Sequence, residues 1–237
     1  MPVPENNPAL QAAAAKKPKS PQPSLDSATS PAEIEARSFA IIDAEAGPDR
    51  PFTGAAWAVA RRLVHTSGDM SLLTSLHLPL AAVEAGVAAL CSGCRVFTDT
   101  EMVRSGIPRR RIDPLGVTVR CFLADGALAE DAARRGITRS RAGMEALKDE
   151  FAGAIVAIGN APTALLALLE CIDAGAAKPA LVIGMPVGFV NAAESKDLLV
   201  ARSDMASLAV LGRRGGSPLA AAAVNALCEL ALSRVGS

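Results

Sequence analysis

The amino-acid sequence predicts an α/β fold, a three-layer α/β/α sandwich around a mostly parallel sheet of about five strands. Strand-like and helix-like segments alternate five times between Cys94 and Leu232, the rhythm of parallel strands joined by crossover helices. The strand segments are almost continuously apolar, as a sheet covered on both faces requires. Composition agrees: 50% of the residues are hydrophobic, only 3% are aromatic and tyrosine is absent. The interior is therefore built from Ala, Val, Leu and Ile, which suit helices packed closely on a sheet.

The elements follow in order. Residues 1–30, "MPVPENNPALQAAAAKKPKSPQPSLDSATS", are dominated by Pro, Ala, Lys and Ser with no sustained apolar face, and read as a disordered extension outside the fold. They lack the apolar centre of a secretory signal. The folded domain is expected over 31–237. "PAEIEARSFAIIDAEAG" starts with proline and acidic residues and ends at Gly47, which predicts a helix. "GAAWAVARRLVHTSGD" puts Ala56, Val59, Ala60, Leu63 and Val64 on one helical face, with Gly68 placed to cap the C-terminus. A third helix runs from Pro79 to Ser92 and stops at Gly93. His77, just before it, reads as loop. Then come the five predicted strands "CRVFTD", "GVTVRCFLAD", "GAIVAIGN", "PALVIGMP" and "MASLAVLG", each followed by helical sequence.

Charge and cysteine content narrow the function. Lys and Arg number 24 against 24 Asp and Glu, so no global field draws nucleic acid or an anionic membrane. No uninterrupted apolar stretch reaches the roughly 20 residues of a membrane helix. Five cysteines without a regular framework fit a reducing cytoplasm. The lone "CSGC" of Cys91–Cys94 closes a helix and has no second Cys/His pair, so a structural role outweighs a redox or metal role.

In an open parallel sheet, ligands bind beyond the carboxyl ends of the strands. Three loops there are rich in glycine: "IGNAPTAL", "IGMPVGFV" and "LGRRGGSP". Pro162 and Pro218 fit first helical turns, and helix N-termini present N–H groups and partial positive charge to anions. Short Gly/Pro loops are also what any such fold needs at this edge. Neither GxGxxG nor GxxxxGK[ST] is present, so a nucleotide is a weak expectation.

Taken together, "RRLVHTSGD", "GITRS", "IGNAPTAL", "IGMPVGFVNAAESK" and "GRRGGSPLAAAAVNAL" resemble, in that order, the precorrin-8X methylmutase (precorrin isomerase) family of cobalamin biosynthesis. The resemblance covers Pro31 to the C-terminus. It implies an α/β homodimer with active sites at the subunit contact, acting without a cofactor or a metal on a precorrin, a ring-contracted tetrapyrrole. The implied reaction moves a methyl group from C-11 to C-12 of precorrin-8X to give hydrogenobyrinic acid. His65 matches the histidine that protonates a ring nitrogen. Ser38 and Arg62 match substrate contacts, and Arg139 matches a further active-site position. Asn160 and Thr163, in "IGNAPTAL", are expected to line the pocket or else to cap the helix beginning there.

Each residue has a plainer reading. His65 and Arg61–Arg62 suit a basic last helical turn, where imidazolium and guanidinium complement the dipole. Ser38 would ordinarily be a solvated helix hydroxyl, and Arg109–Arg111 a solvated loop. Two other functions fit the resemblance: the same methyl shift on the cobalt-containing substrate, giving cobyrinic acid, and a non-catalytic corrinoid carrier.

Overall fold

The computed structural model describes residues 30–124 and 127–236, so the extension expected over 1–30 lies outside the described residues except for Ser30. Two compact units are distinguished, 1–36 and 37–237. In the first, Ser30 opens α1 (Pro31–Ala46) with a reciprocal cap: its Oγ accepts from the Glu33 N–H at 3.4 Å, and Glu33 Oε2 accepts from the Ser30 N–H at 2.8 Å.

The second unit is the expected sandwich, with six strands rather than five. Their order is β1 (Leu76–His77), β6 (Ser207–Val210), β5 (Leu181–Gly184), β4 (Ile155–Ile158), β2 (Arg95–Thr98) and β3 (Thr118–Cys121). All neighbouring pairs are parallel except β1–β6, which is antiparallel with His77 opposite Ala209. His77 is therefore an edge-strand residue and not loop. Two residues are too few to carry any hydrophobic period, which is why the sequence hides this strand.

Strand alternation sends side chains to two cores. Val96, Ile155, Leu181 and Leu208 face α2 (Gly54–Ser67), α3 (Leu80–Cys91) and α10 (Ser217–Val235). Their strand neighbours Phe97, Val156 and Val182 face α7 (Arg139–Ala146), α8 (Pro162–Asp173) and α9 (Ala192–Val200). By length and composition α10 could cross a membrane. Here its apolar surface is covered by α2, α3 and α4 (Glu101–Ser105), which makes it the central helix of its layer. Pro162 and Pro218 both sit in first helical turns as expected.

Arg109–Arg111 lie in a one-turn helix, α5 (Arg109–Ile112), rather than a loop, with Arg109 and Arg110 solvated as expected. Arg111 is turned inward to pair with Glu229 of α10. A carboxylate 118 positions away leaves no local trace in the sequence. The remaining helix, α6 (Ala127–Arg135), packs on α7. Cys91 is the last residue of α3, where "CSGC" was expected to close a helix. Burial pushes the Cys94 thiol up to about 11, which disfavours the thiolate that redox or metal chemistry requires.

Candidate active site

Strand order reverses between β2 and β4, the topological switch point at which a doubly wound sheet opens a crevice for ligands. In this chain the crevice is closed by Asp99, the residue after β2. Its fully buried carboxylate accepts the N–H groups of Gly159 (2.9 Å), Asn160 (2.7 Å) and Ala161 (2.8 Å). Burial pushes the Asp99 carboxyl up, while the three amides pull the other way by favouring the anion. The N–H groups expected to await a ligand at "IGNAPTAL" are therefore occupied by the protein's own carboxylate. Gly159 is pressed against α10, where a Cβ would stand 2.7 Å from the Ser217 Cα.

The next two rim loops are joined to each other. The Gly216 N–H donates to the Met185 carbonyl (2.9 Å) and the Gly188 N–H to the Arg213 carbonyl (3.2 Å). Lys196 of α9, fully buried, donates to the carbonyls of Pro186 (3.0 Å) and Arg214 (2.6 Å). The Arg214 guanidinium then reaches beyond the sheet edge to Asp69 and to Ser71 Oγ (3.1 Å).

Asp69 follows α2, which ends as the sequence predicts: Gly68 is left-handed (φ 64°) and its N–H returns to the Val64 carbonyl at 2.8 Å. His65 lies in that last turn. A cavity of about 370 Å³ is lined by Ser38, Ile41 and Glu45 of α1, by His65, and by Asp69 and Met70 beyond it. The Phe39 ring meets the imidazole edge-on, centroids 5.4 Å apart. Arg61 and Arg62 lie over the same ring at 4.4 and 4.8 Å.

Asp43 joins α1 to α2. Its carboxylate accepts Trp57 Nε1 and Arg61 Nη1, each at 2.7 Å, with Arg50 at 3.5 Å. Burial raises the Asp43 carboxyl, but the Trp57 and Arg61 bonds outweigh it and hold the group below its ordinary value. Asp43→Ala is expected to cost about 1–2 kcal/mol by stranding the buried indole N–H. It should also red-shift the emission of Trp57, the only tryptophan in the chain. Unaltered emission and melting temperature would show that α1 is held by other contacts.

The six residues singled out from the sequence thus fall into three places. Ser38 and His65 share the cavity. Arg62 is buried behind it, its Nη2 bonded to both Glu229 oxygens (2.8 and 2.9 Å), and it is not an exposed basic last turn. Arg139, Asn160 and Thr163 stand further along the rim. Arg139 Nη2 donates to the Leu123 carbonyl (3.1 Å), and Thr163 Oγ1 accepts from Thr138 Oγ1 (2.9 Å). Neither Asn160 nor Thr163 caps α8, whose first residue is preceded by Ala161 without a side-chain cap. From β1 to β4 is three strand spacings, on the order of 14 Å.

Sequence reasoning missed Asp99, Lys196, Glu229 and the pairing of Asp69 with Arg214, although Asp69 beside His65 and Arg213–Arg214 in a rim loop were each legible as candidates. Asp99 ends a strand at the binding edge and Lys196 lies in "NAAESK", so both had positional signals. The partners of Asp99 lie 60 to 62 positions away, whereas those of Lys196 lie only 10 and 18 positions away.

Comparison with known proteins fits this geometry. The family model for precorrin-8X methylmutase matches residues 33–230. The cobalt-precorrin-8 methylmutase of Priestia megaterium is 42% identical over 205 residues, covering 86% of this chain and 90% of its own. The precorrin-8X methylmutase of Pseudomonas aeruginosa is 44% identical over 195 residues, covering 82% and 93%. A solved precorrin-8X methyl mutase from Thermus thermophilus superposes with a TM-score of 0.78 at 40% identity, covering 85% of this chain and 96% of that one. A match that spans the sheet, the histidine-bearing helix and every rim loop places this chain in the precorrin-8X methylmutase family, the isomerases of cobalamin biosynthesis.

Proposed function

We propose that this isomerase moves a methyl group from C-11 to C-12 of precorrin-8X, giving hydrogenobyrinic acid, with His65 as the acid that protonates a ring nitrogen. The observation that carries this reading is the shared cavity of Ser38 and His65 at the C-terminal end of α2. The shift is intramolecular. It asks the protein to bias the electrons of the macrocycle with a proton and to hold the ring in one geometry.

The pigment is flat, apolar and edged with carboxylates. Arg139 and Arg213 are exposed on the rim and suit those carboxylates as bidentate partners. Arg62 acts from behind, with Phe39 between its guanidinium and the imidazole. Asn160 and Thr163 face the far side of the ring. The enzyme works in the cytoplasm as a homodimer with the active site at the subunit contact. In support, Ile41 lines the cavity while 58% exposed, and Phe189 and Val190 stand 82% and 76% exposed on a rim loop. A second subunit would cover such apolar surface.

Relatives named for both the metal-free and the cobalt-containing substrate are about equally similar. The test is therefore to incubate the protein with precorrin-8X and with its cobalt form and to follow the absorption spectrum. Conversion of the metal-free pigment to hydrogenobyrinic acid is expected. Tight binding of both pigments without spectral conversion would make the protein a carrier, and conversion of the cobalt form alone would reassign the substrate.

A further inference from the structure

Lys196 is a charge in an expensive place. Its side chain is wholly removed from solvent, and among the described residues no carboxylate forms an ion pair with it. A buried ammonium is retained only where hydrogen bonds or a counter-charge meet it. Here two backbone carbonyls do, Pro186 at 3.0 Å and Arg214 at 2.6 Å, one from each of two separate rim loops. The loops are so close that a Cβ on Gly215 would stand 2.3 Å from the Met185 carbonyl oxygen. An apolar residue at 196 would leave both carbonyls without donors and remove a buried side-chain tie between loops that the Gly216–Met185 and Gly188–Arg213 backbone bonds also join.

What the lysine holds matters because of where Arg214 goes. Its guanidinium engages Asp69 and Ser71, and Asp69 borders the cavity of His65. Contacts therefore run unbroken from Lys196 to the Arg214 backbone, from the Arg214 side chain to Asp69, and from Asp69 to the cavity. We infer that Lys196 is a positioning residue for the isomerisation: it fixes the backbone of Arg214 so that the guanidinium neutralises Asp69 beside His65. The inference rests on the reading of His65 as the proton donor. Burial lowers the lysine to about 8, yet a neutral amine keeps two N–H groups, so both bonds survive deprotonation.

The charged groups facing His65 are Glu45 of α1, Asp69 after α2, and Arg61 and Arg62 across Phe39, with Arg214 on Asp69. Withdrawing Arg214 makes these surroundings more negative, which holds the proton more firmly on the imidazole and makes it a poorer donor. A loss of this kind has a signature that general loosening lacks: the plateau of the pH–rate profile falls while its alkaline limb moves to higher pH.

The experiment compares Lys196→Met, Arg214→Ala and the double variant of the full chain with precorrin-8X across pH. Each single change is expected to lower kcat about tenfold and to move the alkaline limb up, and the double variant to be no worse than the worse single one. Wild-type kcat in Lys196→Met, multiplying losses in the double variant, or a fall in plateau with an unmoved limb would overturn the proposal. Should Lys196→Met not fold, Lys196→Gln, which keeps a donor for one carbonyl, is read by the same criteria. An unmoved limb in the solvent-reachable Arg214→Ala overturns the proposal by itself. His65→Ala, run alongside, separates the two ideas: retained turnover there defeats the acid assignment, whereas the Lys196 comparison addresses only the chain of contacts.

Discussion

His65→Ala is expected to lower turnover by about 10²- to 10⁴-fold, the usual contribution of a positioned general acid, while product affinity is nearly unchanged. The two effects separate because the imidazole occupies one corner of a cavity lined by other groups. Ser38, Ile41, Glu45, Asp69 and Met70 remain after the substitution, as do the rim arginines. A proton donor acts on the transition state and contributes little to holding a product that no longer needs the proton. Fold stability should hardly move, since His65 is only partly buried and the Gly68 cap is a backbone device. Turnover and product affinity, measured on the same preparation, check the claim. Equal loss of both would make His65 a binding group, and loss of neither would remove it from the reaction.

Asp99→Ala is expected to give the largest loss of stability of any single change at the rim, about 3–5 kcal/mol, because truncation strands three amide donors, those of Gly159 and Ala161 buried and that of Asn160 part-buried, each buried one worth about 1–3 kcal/mol when unsatisfied. Those donors, on Gly159, Asn160 and Ala161, lie where the strand order reverses. The loop between β4 and α8 would lose its anchor, and Gly159 its contact with α10. Asp99→Asn should lose less, since the amide oxygen still accepts from this cluster, though its NH₂ opposes one donor. Midpoints of urea unfolding for the three proteins decide the matter. Coincident midpoints would mean that the loop is held by its packing and not by the carboxylate.

The fold was legible wherever a signal is local. Gly68 caps α2 because only the left-handed position after Ser67 suits the turn, and Pro162 and Pro218 mark helix starts because a missing N–H costs nothing there. The strands β4 and β5 announce themselves by unbroken apolar runs, and β2, β3 and β6 by short apolar runs that include an Arg, Thr or Ser. Legibility ends where a contact spans the chain. Arg62 finds Glu229 across 167 positions, and Asp99 finds the Gly159 amide across 60. No window of sequence contains both partners, so Arg62 read as a dipole-complementing last turn and the "IGNAPTAL" amides read as open to a ligand. The antiparallel β1 escaped for the opposite reason, being shorter than any period. At the site, helix geometry placed His65 at a helix end, but only the family resemblance joined it to Ser38, 27 positions earlier on another helix.

The central claim is that His65 delivers a proton to a pyrrole nitrogen of a macrocycle lying along the carboxyl edge of the sheet. A crystal structure of the protein with bound hydrogenobyrinic acid tests it most directly. The account predicts an imidazole nitrogen of His65 within hydrogen-bonding distance of a ring nitrogen, with pigment carboxylates reaching Arg139 at the start of α7 and the loop that carries Arg213. A pigment seated away from the α2 C-terminus, with His65 out of reach of every ring nitrogen, would contradict it.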